Sequence, residues 1–197
     1  MKSNTIRCFV AIEIPNRIQE ILGEVQAQIR SKIGFASWTK IGNYHITLKF
    51  LGDVEDRNVD KIRSALEKVA KGNEPFPIEI GGIGAFPNFV RPRVLWVGLN
   101  RGALPTTSLA NTINSELHKI NFSKEDRFHP HFTLARLKRP INLKPFSRLF
   151  ENYKIVDGTL HTVDKITLIR SELHPDGAVY TPLNKYSIGQ EIVHNGK

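Results

Sequence analysis

The tetrapeptide His-x-Thr-Leu occurs twice in this chain, as His45-Ile46-Thr47-Leu48 and as His131-Phe132-Thr133-Leu134. Apolar residues alternate through and around each copy, which predicts a short β-strand. Successive side chains on a strand point to opposite faces. His45 and Thr47 then share one face, with Ile46, Leu48 and Phe50 on the other. His131 and Thr133 likewise share a face opposite Phe132 and Leu134. Each strand offers an imidazole beside a hydroxyl and leaves its reverse face free to enter a core. Two such strands brought together surround one small anion with two imidazoles and two hydroxyls, a set suited to acid–base chemistry on a phosphate.

The two histidines lie 86 residues apart, at positions 45 and 131 of 197. Sliding the sequence by that offset lays residues 6–13 on 92–99 and residues 76–86 on 162–172, all strand-like. It also lays the helical pattern beginning at Ile18 on the one beginning at Leu104. A repeat this long exceeds a solenoid unit and suits two lobes of one fold.

Along the chain, residues 6–14 predict a strand ending at Pro15. Asn16 opens a helix to about Ile33, with Ile18, Ile21, Leu22, Val25 and Ile29 on one stripe. Residues 36–51 hold the first motif strand, 56–71 a second helix, 76–84 a strand and 93–99 a strong strand. The second half repeats the order: a helix over 104–120, the second motif strand over 128–136, a short helix over 145–153, and strands over 160–171 and 179–188. The expected fold is α+β. It has two pseudo-symmetric lobes, each a mainly antiparallel sheet with helices on the outer face, around a central cleft. No Gly/Ser linker separates the halves, so residues 1–197 are expected to form a single bilobal domain.

Charge points to the partner. The chain carries 28 Lys+Arg against 19 Asp+Glu, a formal net charge of +9. The excess is spread over both halves, which makes a basic surface rather than a basic tail and favours polyanions such as RNA. No apolar run reaches the length of a membrane span, and residues 1–7 lack the start of a signal peptide. The lone Cys8 sits in an apolar strand and reads as a buried structural thiol. A cytoplasmic location is expected, with no membrane and no obligate protein partner.

Other chemistries find little support. Gly81-Gly82-Ile83-Gly84 is not followed by a helix and matches no phosphate-binding glycine loop; it reads as a bulge or a close strand approach. There is no Gly-x-Ser-x-Gly elbow and no thiol near a motif. His129 and His131 share a strand face, and with His45 they form the one metal-ligand set worth weighing. No cysteine pair or acidic cluster accompanies them, so neither a metal nor another cofactor is expected.

At these residues the chain resembles the two-histidine phosphoesterase superfamily, and within it the RNA 2′,3′-cyclic phosphodiesterases, also called 2′-5′ RNA ligases. The resemblance spans nearly the whole chain. It includes Arg7-Cys8-Phe9-Val10-Ala11-Ile12, residues 38–52, Gly84-Ala85-Phe86-Pro87, Arg93-Val94-Leu95-Trp96-Val97-Gly98, the second motif with Arg136, and residues 171–180. His129, two before the second motif histidine, stands where relatives vary. The resemblance implies metal-independent hydrolysis of RNA 2′,3′-cyclic phosphate ends to 2′-phosphates, with 2′-5′ ligation as the reverse reaction. It implies His45 as proton donor and His131 as proton acceptor, with Thr47 and Thr133 on the phosphate oxygens.

Weaker candidates surround this set. Arg136 suits phosphate, but alternation puts it opposite His131, so it needs a bend to reach the site. Alternation puts Lys49 on the His45 face, where it would attract RNA, and Arg127 precedes the second strand. Phe50, Phe86, Phe89, Phe128 and Tyr180 are stacking candidates whose default is core packing, Phe50 above all. Two alternatives stay open: an RNA-end binding protein without turnover, and a phosphodiesterase acting on linear 2′-5′ oligonucleotides.

Overall fold

Strand β1 (Thr5–Glu13) shows how the apolar pattern sorts the chain into two faces. Cys8, Val10 and Ile12 enter the main core, whereas Phe9 and Ala11 form a small separate cluster with Ile169. The computed structural model describes residues 5–33, 36–139, 141–151, 159–175 and 177–189.

The remaining strands are β2 (Ser37–Trp38), β3 (His45–Glu55), β4 (Phe76–Phe86), β5 (Val94–Arg101), β6 (Phe132–Arg136), β7 (His161–Val163), β8 (Lys165–His174) and β9 (Gly177–Ser187). They form one antiparallel sheet in the order β7-β4-β5-β6-β3-β1-β8-β9, with β2 paired to β6. The two halves meet at β3 and β6, which pair through Ile46 and Phe132. The expected lobes are therefore joined edge to edge, and the sheet itself floors the cleft.

The helices cover the other face. In α1 (Asn16–Ile33) the stripe Ile18, Leu22, Val25 and Ile29 is buried. In α2 (Asp56–Lys71) it is Ile62, Leu66 and Val69, and in α3 (Ala103–His118) it is Leu109, Ile113 and Leu117. All of these pack in one cluster with Val10, Ile12, Ile46, Leu48, Leu95, Val97, Phe132 and Leu134. Full burial of each such side chain contributes roughly 1.5–3 kcal/mol. The layering is what frees the opposite sheet face, the one carrying His45 and Thr47, for a site.

Chain connectivity interlocks the halves. After β3 and α2 the chain crosses to β4, which pairs with β5 of the other half. After β6 comes a 3-10 turn (Lys144–Phe146), then α4 (Ser147–Glu151), and β8 returns to pair with β1. Each half thus owns an outer strand drawn from the other.

Two elements of the second half differ from expectation. The second motif strand begins at Phe132 rather than 128, since Pro130 has no N–H to donate to a ladder. The expected strand over 160–171 divides at Asp164 into β7, at one end of the sheet path, and β8, next to the other end. The end of the helix expected over 145–153 lies outside the described residues beyond Glu151. The glycine run serves both of its expected purposes. Pairing of β4 with β5 skips from Ile80 to Ile83, and a Cβ on Gly84 would lie 2.1 Å from the Trp96 ring. Cys8 is buried, and burial pushes its thiol up to about 11 against the opposing pull of Arg170.

Candidate active site

The Ile46–Phe132 pair marks a local two-fold relation. Both residues are fully buried, so their neighbours on either side face the cleft. Antiparallel pairing sets His45 across from Thr133 and Thr47 across from His131. The two histidines are then diagonal neighbours on one face, and in sheet geometry such pairs stand about 7–8 Å apart. That spacing leaves room for one phosphate between the imidazoles.

Both motif strands carry a bulge at the same position. In the β1–β3 register, Ala11 pairs Thr47 and Val10 pairs Lys49, so Leu48 is the extra residue. In the β5–β6 register, Trp96 pairs Thr133 and Leu95 pairs Ala135, so Leu134 is extra. A bulge breaks alternation by one. Lys49 and Ala135 consequently turn into the core, while Phe50 and Arg136 turn out to the cleft face. A second shift follows at Leu51, beside Gly52, whose φ of 70° favours glycine.

Three of the expectations are corrected by these bulges. Lys49 does not follow the His45 face: it is 1% exposed, and its Nζ donates to Asn114 Oδ1 (2.9 Å) and Ser123 O (2.6 Å) and pairs with Glu125 Oε1 at 3.2 Å. Phe50 is not a core residue; it is 57% exposed, beside Phe9 at 6.2 Å between ring centroids. Arg136 is not opposite His131, and its charge acts on both motif imidazoles. The register also puts Ala11 and Trp96 in equivalent places, an offset of 85 rather than 86 for these two strands.

The imidazoles are anchored alike. His45 Nδ1 donates to Asn43 O at 2.8 Å, and His131 Nδ1 donates to His129 O at 2.7 Å. A carbonyl only accepts, so each neutral ring carries its proton on Nδ1 and presents Nε2. Thr47 Oγ1 lies 3.0 Å from His45 Nε2. Thr39 Oγ1 donates to Thr133 O at 2.8 Å, holding the second motif strand from its β2 side. Burial lowers the pKa of His45 to about 4; the bond to Asn43 opposes it, and the charges of His131 and Arg136 lower it further. His131 is lowered by burial too, against its bond to His129 O, with His129 and Arg136 adding to the depression. Both rings are therefore neutral at neutral pH in the free protein.

Their surroundings differ. His45 touches Phe9 (4.8 Å between centroids) and, edge to face, Tyr180 (5.2 Å). A pocket opens on this side, lined by Glu13, Asn16, Asn43 and Tyr180 among others. His131 sits against Phe86 (5.0 Å), and His129 is packed between Trp96 (4.7 Å) and Phe86 (5.5 Å). Trp96 Nε1 is buried with no hydrogen-bond partner among the described residues.

Of the stacking candidates, Phe50, Phe86 and Tyr180 reach the cleft side, whereas Phe89 and Phe128 pack on the main core. Arg127 is exposed on the segment leading to His129. Among the described residues no group of three His, Cys, Asp or Glu side chains is placed to hold a metal ion. Sequence reasoning missed the carbonyls of Asn43 and His129, which no side-chain motif signals, and Glu13, the register partner of His45. No helix of the described residues is long and apolar enough to cross a membrane.

Comparison with known proteins gives a consistent picture. The family model described as LigT like phosphoesterase matches residues 12–96 and 100–180. An Aquifex aeolicus protein named RNA 2′,3′-cyclic phosphodiesterase is 33% identical over 190 residues, covering 93% of this chain and 98% of the relative. A protein of the same name from Methanothermobacter thermautotrophicus is 30% identical over 185 residues, covering 93% and 99%. A crystal structure from Thermus thermophilus superposes with a TM-score of 0.78 at 28% identity, over 94% of this chain and 100% of that one.

Proposed function

From a chain that belongs to the LigT like phosphoesterase family, we infer an enzyme that opens the 2′,3′-cyclic phosphate at an RNA end and leaves a 2′-phosphate. The observation that carries this reading is the Ile46–Phe132 pair, which turns both His-x-Thr sets onto one face. The names of its relatives supply the substrate class.

The chemistry follows from the geometry. The cyclic phosphate lies between the imidazoles, with its non-bridging oxygens toward Thr47, Thr133 and Arg136. His131 Nε2 takes a proton from the attacking water as its oxygen bonds to phosphorus. The bond from phosphorus to O3′ breaks on the opposite side, and His45 gives its Nε2 proton to O3′. Charge grows on the non-bridging oxygens as this happens, and the two hydroxyls and the guanidinium stabilise it. Afterwards His45 is neutral and His131 protonated, and exchange with solvent resets the pair. A 5′-hydroxyl in place of the water would attack the same cyclic phosphate as the bond from phosphorus to O3′ breaks, leaving a 2′-5′ linkage and a free 3′-hydroxyl. Every step uses side chains of this protein, without a metal.

His45 is neutral in the free protein, yet the reaction needs it charged. A bound phosphate supplies the reason: its negative charge favours the imidazolium and raises both pKa values. Substrate binding thus carries a proton in.

The test is incubation of the purified protein with an RNA ending in a 2′,3′-cyclic phosphate, followed by mapping of the new end, with excess chelator present. The expected product is a 2′-phosphate. Binding without ring opening would make this an RNA-end binding protein. Cleavage of linear 2′-5′ oligonucleotides in preference would move the substrate class. Loss of activity in chelator would overturn the metal-free reaction.

A further inference from the structure

The two sides of the cleft are lined differently. On the His131 side, Phe86, Trp96 and His129 pack ring against ring, and Gly84 lies so close beneath Trp96 that no side chain fits there. On the His45 side a pocket runs from the imidazole past Tyr180 and Asn43 to Glu13 and Asn16, at the start of α1. We propose that this pocket is the subsite for the nucleoside carrying the cyclic phosphate, and that Glu13 Oε1 accepts a hydrogen bond from it. The proposal rests on the phosphodiesterase reading and names where its substrate extends.

Glu13 pairs with His45 in the β1–β3 register, so its side chain shares the cleft face. Its two partners fall on one oxygen: Thr167 Oγ1 donates to Oε2 at 2.7 Å, and Lys185 Nζ lies 2.8 Å from the same atom. Oε1 has no partner among the described residues. Asn43 gives its Nδ2 to Ala178 O at 3.0 Å, which leaves its own Oδ1 as a second acceptor. Burial works to raise the Glu13 pKa, but the bonds from Lys185 and Thr167 outweigh it and hold the carboxyl below its usual range. It is a carboxylate at neutral pH.

A carboxylate beside a phosphate site repels a second phosphate and only accepts hydrogen bonds. The part of the substrate that fits is therefore neutral and rich in donors. A nucleoside supplies these as sugar hydroxyls and as base N–H groups. In-line displacement gives the same direction: the sugar lies on the side of the departing O3′, and water enters from the opposite side. The pocket beside His45 lies on that sugar side.

The test measures two ligands in parallel: a nucleoside 2′-monophosphate, which spans both regions, and inorganic phosphate, which needs only the histidines and threonines. Losing a hydrogen bond to a charged acceptor weakens binding about 10–100-fold. Glu13→Gln is expected to raise the Kd of the nucleotide on that scale while the inhibition constant of phosphate moves much less, since Glu13 reaches phosphate only through its upward pull on the His45 pKa. Asn16→Trp, which narrows the pocket without touching the partners of Glu13, is expected to give the same split. Guanosine, uridine and 1-O-methylribose 2′,3′-cyclic phosphates identify the donor. A Glu13→Gln penalty on KM that persists for the ribose phosphate assigns a sugar hydroxyl; one confined to the nucleotides assigns the base. Equal weakening of nucleotide and phosphate, or no effect on the nucleotide in either variant, overturns the subsite. Wild-type protein that shows the split but opens no cyclic phosphate would keep the subsite and overturn the catalytic reading.

Discussion

His45 and His131 repeat one another in sequence and in anchoring, but their neighbourhoods diverge. Each gives Nδ1–H to the carbonyl two residues before it, and each has a threonine two residues after it on the same face. Around His45 are Tyr180, a carboxylate and an open pocket. Around His131 are Phe86, Trp96 and a third imidazole. The repeated elements supply what a phosphate needs from both sides. The unrepeated ones supply what differs between the sides, the water on one and the nucleoside on the other.

The largest effects should come from the repeated elements. His45→Ala and His131→Ala are each expected to lower turnover about 10²–10⁴-fold. The double variant should be far from multiplicatively worse, because the pair acts as one unit. Their pH dependences should separate them. His131 must be neutral to take a proton, so rate rises with pH through its pKa. His45 must be charged to give one, so rate falls through its pKa. His131→Ala should remove the acid limb and His45→Ala the alkaline limb. Burial depresses both groups in the free protein, His45 to about 4, and bound phosphate raises them. The optimum of kcat/KM should therefore lie on the acid side of the kcat optimum, and the opposite order would contradict the electrostatics.

Thr47→Val and Thr133→Val come next, at about tenfold to a hundredfold in kcat. Thr47 should be the costlier, since it also bonds His45 Nε2. Equal losses would mean that the hydroxyls serve the phosphate alone.

Lys49 and Ala135, equivalent residues just past the two bulges, differ in the same way. One is a buried ammonium with three acceptors, the other a methyl. Lys49→Met takes the Lys49 donor from Ser123 O, leaves Asn114 Oδ1 with only the Glu125 N–H, and should cost about 1–3 kcal/mol of stability by denaturant unfolding. Turnover of the folded variant should change much less than for the histidines. The exchange of β4 and β8 between the halves leads us to propose one cooperative domain, hence a single transition in that unfolding; two transitions would divide the chain. His129→Phe should have the smallest effect, under about tenfold on kcat, because its carbonyl, not its ring, holds His131. A loss as large as that of His131→Ala would give the ring a catalytic part.

Much of this site could be read from the chain because a strand places residues by a period of two. Alternation was enough to put His45 with Thr47 and His131 with Thr133. It failed one step later, at Lys49, Phe50 and Arg136, because a bulge adds one residue and inverts every face beyond it. A trace of it is present: the buried apolar residues run 46, 48, then 51 and 54, shifting from a spacing of two to three. Nothing local shows the exchange of outer strands or the split at Asp164, since pairing partners there are far apart in sequence. The carbonyl anchors are backbone groups, so no residue type announces them.

The central claim is that both imidazoles hold the same phosphate. It is tested most directly by following the ring resonances of His45 and His131 by NMR, across a pH series, with and without a nucleoside 2′-monophosphate. Both pKa values should rise together on binding, with His45 moving up from about 4, and the rise of each should be lost when the other is replaced by alanine and the ligand no longer seats. A ligand that moves one imidazole and leaves the other unchanged would contradict the shared site.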